Sequence, residues 1–121
     1  MNEQKYLFLD DKRLPADCII YMQGRGIDAS IYLLSWQIVN SYEDFVNWIE
    51  QNGLPLIISF DHDLDETGKS GMDAAKWLVN YCLEKDLPLP QYIVHSVNPV
   101  GVENIKALFE NYTAFRESEK L

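Results

Sequence analysis

Positive charge is scarce in this sequence. Ten Lys and Arg stand against nineteen Asp and Glu, for a formal net charge of −9. Binding to long nucleic acid depends on Lys and Arg contacts to phosphate, so that role is disfavoured. A small phosphorylated ligand stays open, because Lys12, Arg13 and Lys69 sit beside acidic clusters and can set a local field of their own. Long apolar runs are also missing. No stretch of about 20 apolar residues occurs, so no membrane span is expected. The opening MNEQKYLFLDDKR has no signal-peptide pattern. The two cysteines, Cys18 and Cys82, lie far apart and outside any C-x-x-C motif. Structural thiols in a reduced, cytoplasmic setting are the expectation. Internal repeats, low-complexity tracts and linkers are absent.

What is present suits one domain over residues 1–121, with 47% hydrophobic and 12% aromatic residues to fill a single core. Three short apolar runs read as strands: Lys5–Leu9, Leu56–Phe60 and Tyr92–His95. They are continuous rather than alternating, as in strands covered on both faces of a parallel sheet. Each ends in polar residues: Asp10-Asp11, Asp61-His62-Asp63 and His95-Ser96. Helical patterns separate them. Ser41 caps a segment with Tyr42, Phe45, Val46 and Ile49 on one face, and Asn52-Gly53 ends it. Ser70 or Gly71 opens a second helix carrying Met72, Ala75, Val79 and Cys82. A third follows Asn98-Pro99, with Val102, Ile105, Leu108, Phe109 and Tyr112 inward and a frayed, charged tail after Phe115. Between Pro15 and Ser41, β-branched and aromatic runs flank Gly24 and Gly26. They predict a β-rich insert, a hairpin or strand pair whose second arm joins the sheet. The fold class is therefore α/β: an open, mostly parallel sheet with helices on both faces. Trp36, Trp48 and Trp77 are expected in the core or against the sheet.

The stretch Ile58–Gly71, ISFDHDLDETGKSG, resembles several single-loop motifs and fails each. As a calcium loop it begins well with Asp61, Asp63 and Asp65. Glu66 then stands where the sharp turn needs Gly, and Met72 where the bidentate Glu belongs. As a phosphate loop it ends well in Gly68-Lys69-Ser70, but its first Gly would be Asp63, which repels phosphate. Asp63 to Thr67 matches the D-x-D-x-T of aspartyl-phosphate phosphatases out of register with the strand end.

A composite site explains the residues better. In open α/β sheets, ligands bind beyond the carboxyl ends of the strands. Clustered carboxylates repel unless a cation sits among them. Asp10, Asp11 and Asp61 form a candidate Mg²⁺ or Mn²⁺ site, which Asp63 could complete. Both histidines, His62 and His95, stand at the same polar strand ends and can handle a proton near neutral pH. Lys69, Arg13, Ser96 and Asn98 are candidates for phosphate oxygens, helped by amides at a helix start. The bland alternatives are helix caps, turns and solvated acids.

FLDDKRLP, then ISFDHDL…TG…DAAKWL, then YIVHSVNPVGVENI occur in order and cover nearly the whole chain. Together they resemble the cyclic-phosphate processing receiver domains, relatives of two-component receivers with a flavodoxin-like fold. The resemblance implies that Asp10 and Asp11 match a metal-binding acid pair, Asp61 a phosphoacceptor and Ser96 a strand-four hydroxyl. It also implies activity on a cyclic phosphate or cyclic nucleotide. The chain departs from ordinary receivers in lacking a fifth strand and its Lys, and in carrying His62, Asp63 and His95. These departures favour a metal-dependent phosphoesterase over a phosphorylation switch. A non-catalytic module that binds a phosphorylated ligand or partner protein is the alternative.

Overall fold

The computed structural model describes residues 5–23, 30–61, 69–95 and 98–119. In chain order these form β1 (Tyr6–Leu9), α1 (Pro15–Gln23), a 3-10 turn (Ser30–Leu33), β2 (Trp36–Val39), α2 (Tyr42–Asn52), β3 (Ile57–Phe60), α3 (Gly71–Lys85), β4 (Gln91–Val94) and α4 (Pro99–Glu119). The four strands pair in parallel in the order β2-β1-β3-β4. This is a receiver-like, flavodoxin-like α/β sheet.

The apolar runs KYLFL and LIISF become the two central strands. Leu7, Phe8 and Leu9 are buried completely, and all four residues of β3 are buried. Alternation sends their side chains to opposite faces. Leu7, Leu9, Ile58 and Phe60 pack with α2, α3 and α4 through Phe45, Ile49, Ala75, Leu78, Ile105 and Phe109. Phe8 and Ile57 face the other way, onto Cys18 of α1, Tyr32 of the 3-10 turn and Trp36. Helices therefore cover both faces. The loop after β1 leads to one face and the loop after β3 to the other. The crevice between these adjacent strands is the topological switch point, where such sheets place ligands.

Local signals set the helix boundaries. The Ser41 side chain accepts from Asp44 N at 3.1 Å, and Gly53 ends α2 at φ +82°, a conformation open to glycine. Ser70 and Asp73 form a reciprocal capping box at the start of α3. The Asn98 side-chain oxygen Oδ1 accepts from Gly101 N at 3.1 Å, with Pro99 first in α4.

Two expectations are corrected. The first arm of the expected β-rich insert is helix α1; only the second arm, Trp36–Val39, joins the sheet. Pro15 opens the helix and Asp17 accepts from Leu14 N at 2.8 Å, so the start signal outweighs the β-branched pair Ile19-Ile20. Gly24 and Gly26 lie outside the described residues. The tail after Phe115 is also helical, through Glu119. Arg116 anchors it, donating to Asp86 at 3.0 Å and to the Tyr112 hydroxyl at 3.4 Å. Both cysteines are free and buried, and burial pushes each thiol up to about 11, so neither is a nucleophile near neutral pH. Among the described residues, no helix is long and apolar enough to cross a membrane.

Candidate functional site

β1, β3 and β4 end side by side, and the residue after each is buried and polar: Asp10, Asp61 and His95. Backbone bonds continue the ladder one step beyond the strands. Asp61 N donates to Leu9 O at 3.0 Å, and His95 N donates to Phe60 O at 2.9 Å. Ligand-capable atoms of all three side chains lie within 4.8 Å of one another. The two carboxylates are a reasonable donor pair for a divalent cation.

Asp10 is the centre of the site. Its Oδ1 accepts from Lys12 N at 2.8 Å and Arg13 N at 2.9 Å, closing the turn after β1. Its Oδ2 lies 3.0 Å from His95 Nε2 and 3.7 Å from Arg13 Nη1. Asn40 Nδ2 donates to its carbonyl at 2.9 Å. Burial works to raise the Asp10 carboxyl, but the His95 bond and the two backbone N–H donors outweigh it, and the group is held below its usual range. For His95, burial dominates and pushes the ring below its usual value of 6.5, against the pull of Asp10. The pair is therefore an ionised carboxylate with a neutral imidazole.

That assignment fixes a direction of donation. An ionised carboxylate only accepts, so Nε2 carries the ring proton and Nδ1 is bare. Nδ1 lies 2.6 Å from Ser59 Oγ, so the serine donates to it. Tyr32, whose hydroxyl is 2.9 Å from Ser59 Oγ, donates in turn. Burial pushes the Tyr32 phenol up to about 12, so it keeps its proton. Phe8 lies flat against the imidazole, with centroids 4.5 Å apart and planes 7° apart. The order Ser59–His95–Asp10 has the composition of a hydrolytic triad, yet Ser59 is fully buried and no substrate reaches its oxygen. Nitrogen-15 NMR of metal-free protein is expected to show a protonated Nε2 and a bare Nδ1 for His95. The opposite tautomer would refute this direction.

A pH dependence follows. The folded chain resists protonation at His95 and the unfolded chain does not, so stability is lost as pH falls below about 6.5. Asp10 adds a second loss at lower pH, because its lowered folded pKa favours folding only above the unfolded value. The urea midpoint is expected to be flat above neutrality and to fall in both windows. His95→Gln should remove the upper one; an unchanged upper window in that variant would show that it originates elsewhere.

The other candidate residues are placed as follows. Arg13 reaches toward both carboxylates, lying 3.9 Å from Asp61 Oδ1. Lys69 Nζ sits over the Tyr42 ring, 4.5 Å from its centroid, at the start of α2. Asn98 caps α4. Asp11 is half-buried and is not part of the converging group. His62, Asp63 and Ser96 lie outside the described residues. Sequence reasoning missed Ser59, Tyr32 and Phe8. A serine inside the apolar run LIISF was the available signal for the first; the other two carried none.

This geometry can be set beside known proteins. The family model of the cyclic-phosphate processing receiver domain matches residues 5–111. The chain belongs to that family. A solved fusion carrying the yeast Spc42 trimeric coiled coil is similar to this family member with TM-score 0.53 and 20% identity, over 89% of this chain. The chain spans 65% of that fusion's length, and at this identity the likeness concerns fold alone. The N-terminal domain of a response regulator/sensory box/GGDEF 3-domain protein from Carboxydothermus hydrogenoformans aligns at 18% identity and TM-score 0.47, over 92% of this chain and 98% of that one. None of the curated proteins compared matches this chain.

Proposed function

We propose that this receiver-like domain is a metal-dependent phosphoesterase acting on a cyclic phosphate or cyclic nucleotide. The observation that carries this reading is the convergence of Asp10, Asp61 and His95, all buried, at the switch point of the sheet. The family's description as cyclic-phosphate processing supports the substrate class. Asp10 and Asp61 would hold Mg²⁺ or Mn²⁺, with Asp11 and Asp63 as further acids at the same edge. When bound, such a cation polarises a phosphoryl oxygen and lowers the pKa of a coordinated water.

The chain's own groups supply the rest. Arg13 and Lys69 would bring positive charge to the edge that holds Asp10 and Asp61. Ser96, Asn98 and the amides at the start of α4 suit phosphate oxygens. Both nitrogens of His95 already have partners, so proton exchange with substrate falls to His62, and His95 serves to hold Asp10 in place.

Phosphate binding without turnover is the alternative. It is favoured by the engagement of both Asp10 oxygens and both His95 nitrogens inside the fold. Incubation with Mn²⁺ and a panel of cyclic mononucleotides, cyclic dinucleotides and 2′,3′-cyclic phosphate ends separates the two. Turnover that falls by about 100-fold or more in Asp61→Asn supports the enzyme, given the share of rate such charge stabilisation carries. Binding by calorimetry with no turnover assigns the domain to the second reading.

A further inference from the structure

Arg13 carries a buried donor that no hydrogen bond satisfies among the described residues. Its side chain is 35% exposed, yet Nη1 is buried and makes no hydrogen bond to the described residues. That atom lies 3.7 Å from Asp10 Oδ2 and 3.9 Å from Asp61 Oδ1. These separations are long for hydrogen bonds and short enough for charge pairing. The guanidinium thus bridges the acids at the ends of β1 and β3. The same acids, with His95, form the converging donor group.

Two cations cannot share that position. A divalent ion such as Mg²⁺ would need carboxylate oxygens at roughly 2.0–2.1 Å, which would bring it against the guanidinium. Only the side chain of Arg13 would have to move, because its backbone N is fixed on Asp10 Oδ1 at 2.9 Å. Its exposed part gives it a way out toward the edge. There, a planar fork of donors matches a phosphoryl group better than it matches two separate carboxylates held at a distance.

We propose that Arg13 and a divalent cation compete for the Asp10–Asp61 pair, and that the displaced guanidinium becomes a donor to the phosphate ligand. Arg13 then couples the two binding events. Phosphate draws the guanidinium away from the acids and so tightens cation binding, and by linkage the cation tightens phosphate binding equally. This inference rests on the reading of Asp10 and Asp61 as cation ligands.

The test is Mn²⁺ binding to the full chain, followed by the EPR signal of free Mn²⁺, with and without methyl phosphate. Circular dichroism checks that each variant is folded. Arg13→Ala is expected to bind Mn²⁺ at least about 5-fold more tightly than wild type, the low end of common coupling factors. Methyl phosphate should tighten Mn²⁺ binding more in wild type than in Arg13→Ala, where only its direct contact with the cation remains. Arg13→Lys, which keeps the charge, should bind Mn²⁺ nearly as wild type does. Equal or weaker Mn²⁺ binding by Arg13→Ala overturns the competition and leaves the cation site standing. An equal methyl phosphate effect in both proteins overturns the coupling. No Mn²⁺ binding by any of the three overturns this inference together with the cation site.

Discussion

Replacing Asp10 with alanine is expected to lower stability by roughly 3–5 kcal/mol and to abolish cation binding, the largest effect of any single change at the site. The carboxylate is 1% exposed and is engaged on both oxygens. Its removal strands two backbone N–H groups in the turn after β1 and the Nε2–H of His95. It also leaves the Arg13 guanidinium with Asp61 as its one remaining acid among the described residues. Each stranded donor loses a bond to a charged acceptor, and such bonds contribute more than neutral ones. Asp10→Asn should be milder. Its amide oxygen can still accept from Lys12 and Arg13, but its NH₂ then faces the Nε2–H of His95, donor against donor. Relief requires the ring proton to move to Nδ1, which turns Ser59 from donor to acceptor. Urea unfolding gives the stability order, wild type above Asp10→Asn above Asp10→Ala. NMR of the His95 ring reports the tautomer. An Asp10→Ala protein as stable as wild type would show that the carboxylate does not organise this turn.

The sequence made the strands legible because their chemistry is redundant. KYLFL and LIISF are apolar at every position except Lys5 and Ser59, and the polar residue after each run marks where the chain leaves the sheet. Parallel order then places Asp10, Asp61 and His95 together without any knowledge of side-chain contacts. Helix starts at Ser41, Ser70 and Pro99 were readable for a similar reason, since capping is local. The segment after Asp11 was not. Ile19-Ile20 favours a strand by propensity, and the Leu14–Asp17 start signal spans only four residues. Helix α1 also shows its value only in three dimensions, where Cys18 covers Phe8 beside Tyr32 and Trp36. The hydroxyl chain behind His95 was hidden for another reason. It joins Tyr32, Ser59 and His95 across 63 positions of sequence, and tyrosine at a turn carries no mark of what its hydroxyl will meet.

Phe8 and Phe60 offer a way to separate the fold from the site. Both are completely buried, on opposite faces of the two central strands. Truncation of either to alanine is expected to cost about 3–5 kcal/mol through lost burial and the cavity left behind. Phe60 packs against Phe45 and Phe109, at ring separations of 5.6 and 5.4 Å, in the core formed by α2, α3 and α4. Phe8 instead supports the imidazole of His95 and meets Tyr32 edge-on at 6.1 Å. The two variants should therefore have similar urea midpoints but different sites. Phe8→Ala releases the face of His95, so its ring NMR signals should shift and broaden and Mn²⁺ binding should weaken by about 10-fold, the usual scale for loss of a group that orients a ligand. Phe60→Ala should leave those signals and Mn²⁺ affinity close to wild type once the folded fraction is taken into account. Equal loss of Mn²⁺ binding in the two variants would mean that the site depends on overall stability alone. Selective loss in Phe8→Ala would place the control of His95 in the stacked ring beneath it, two residues before Asp10 on the same strand.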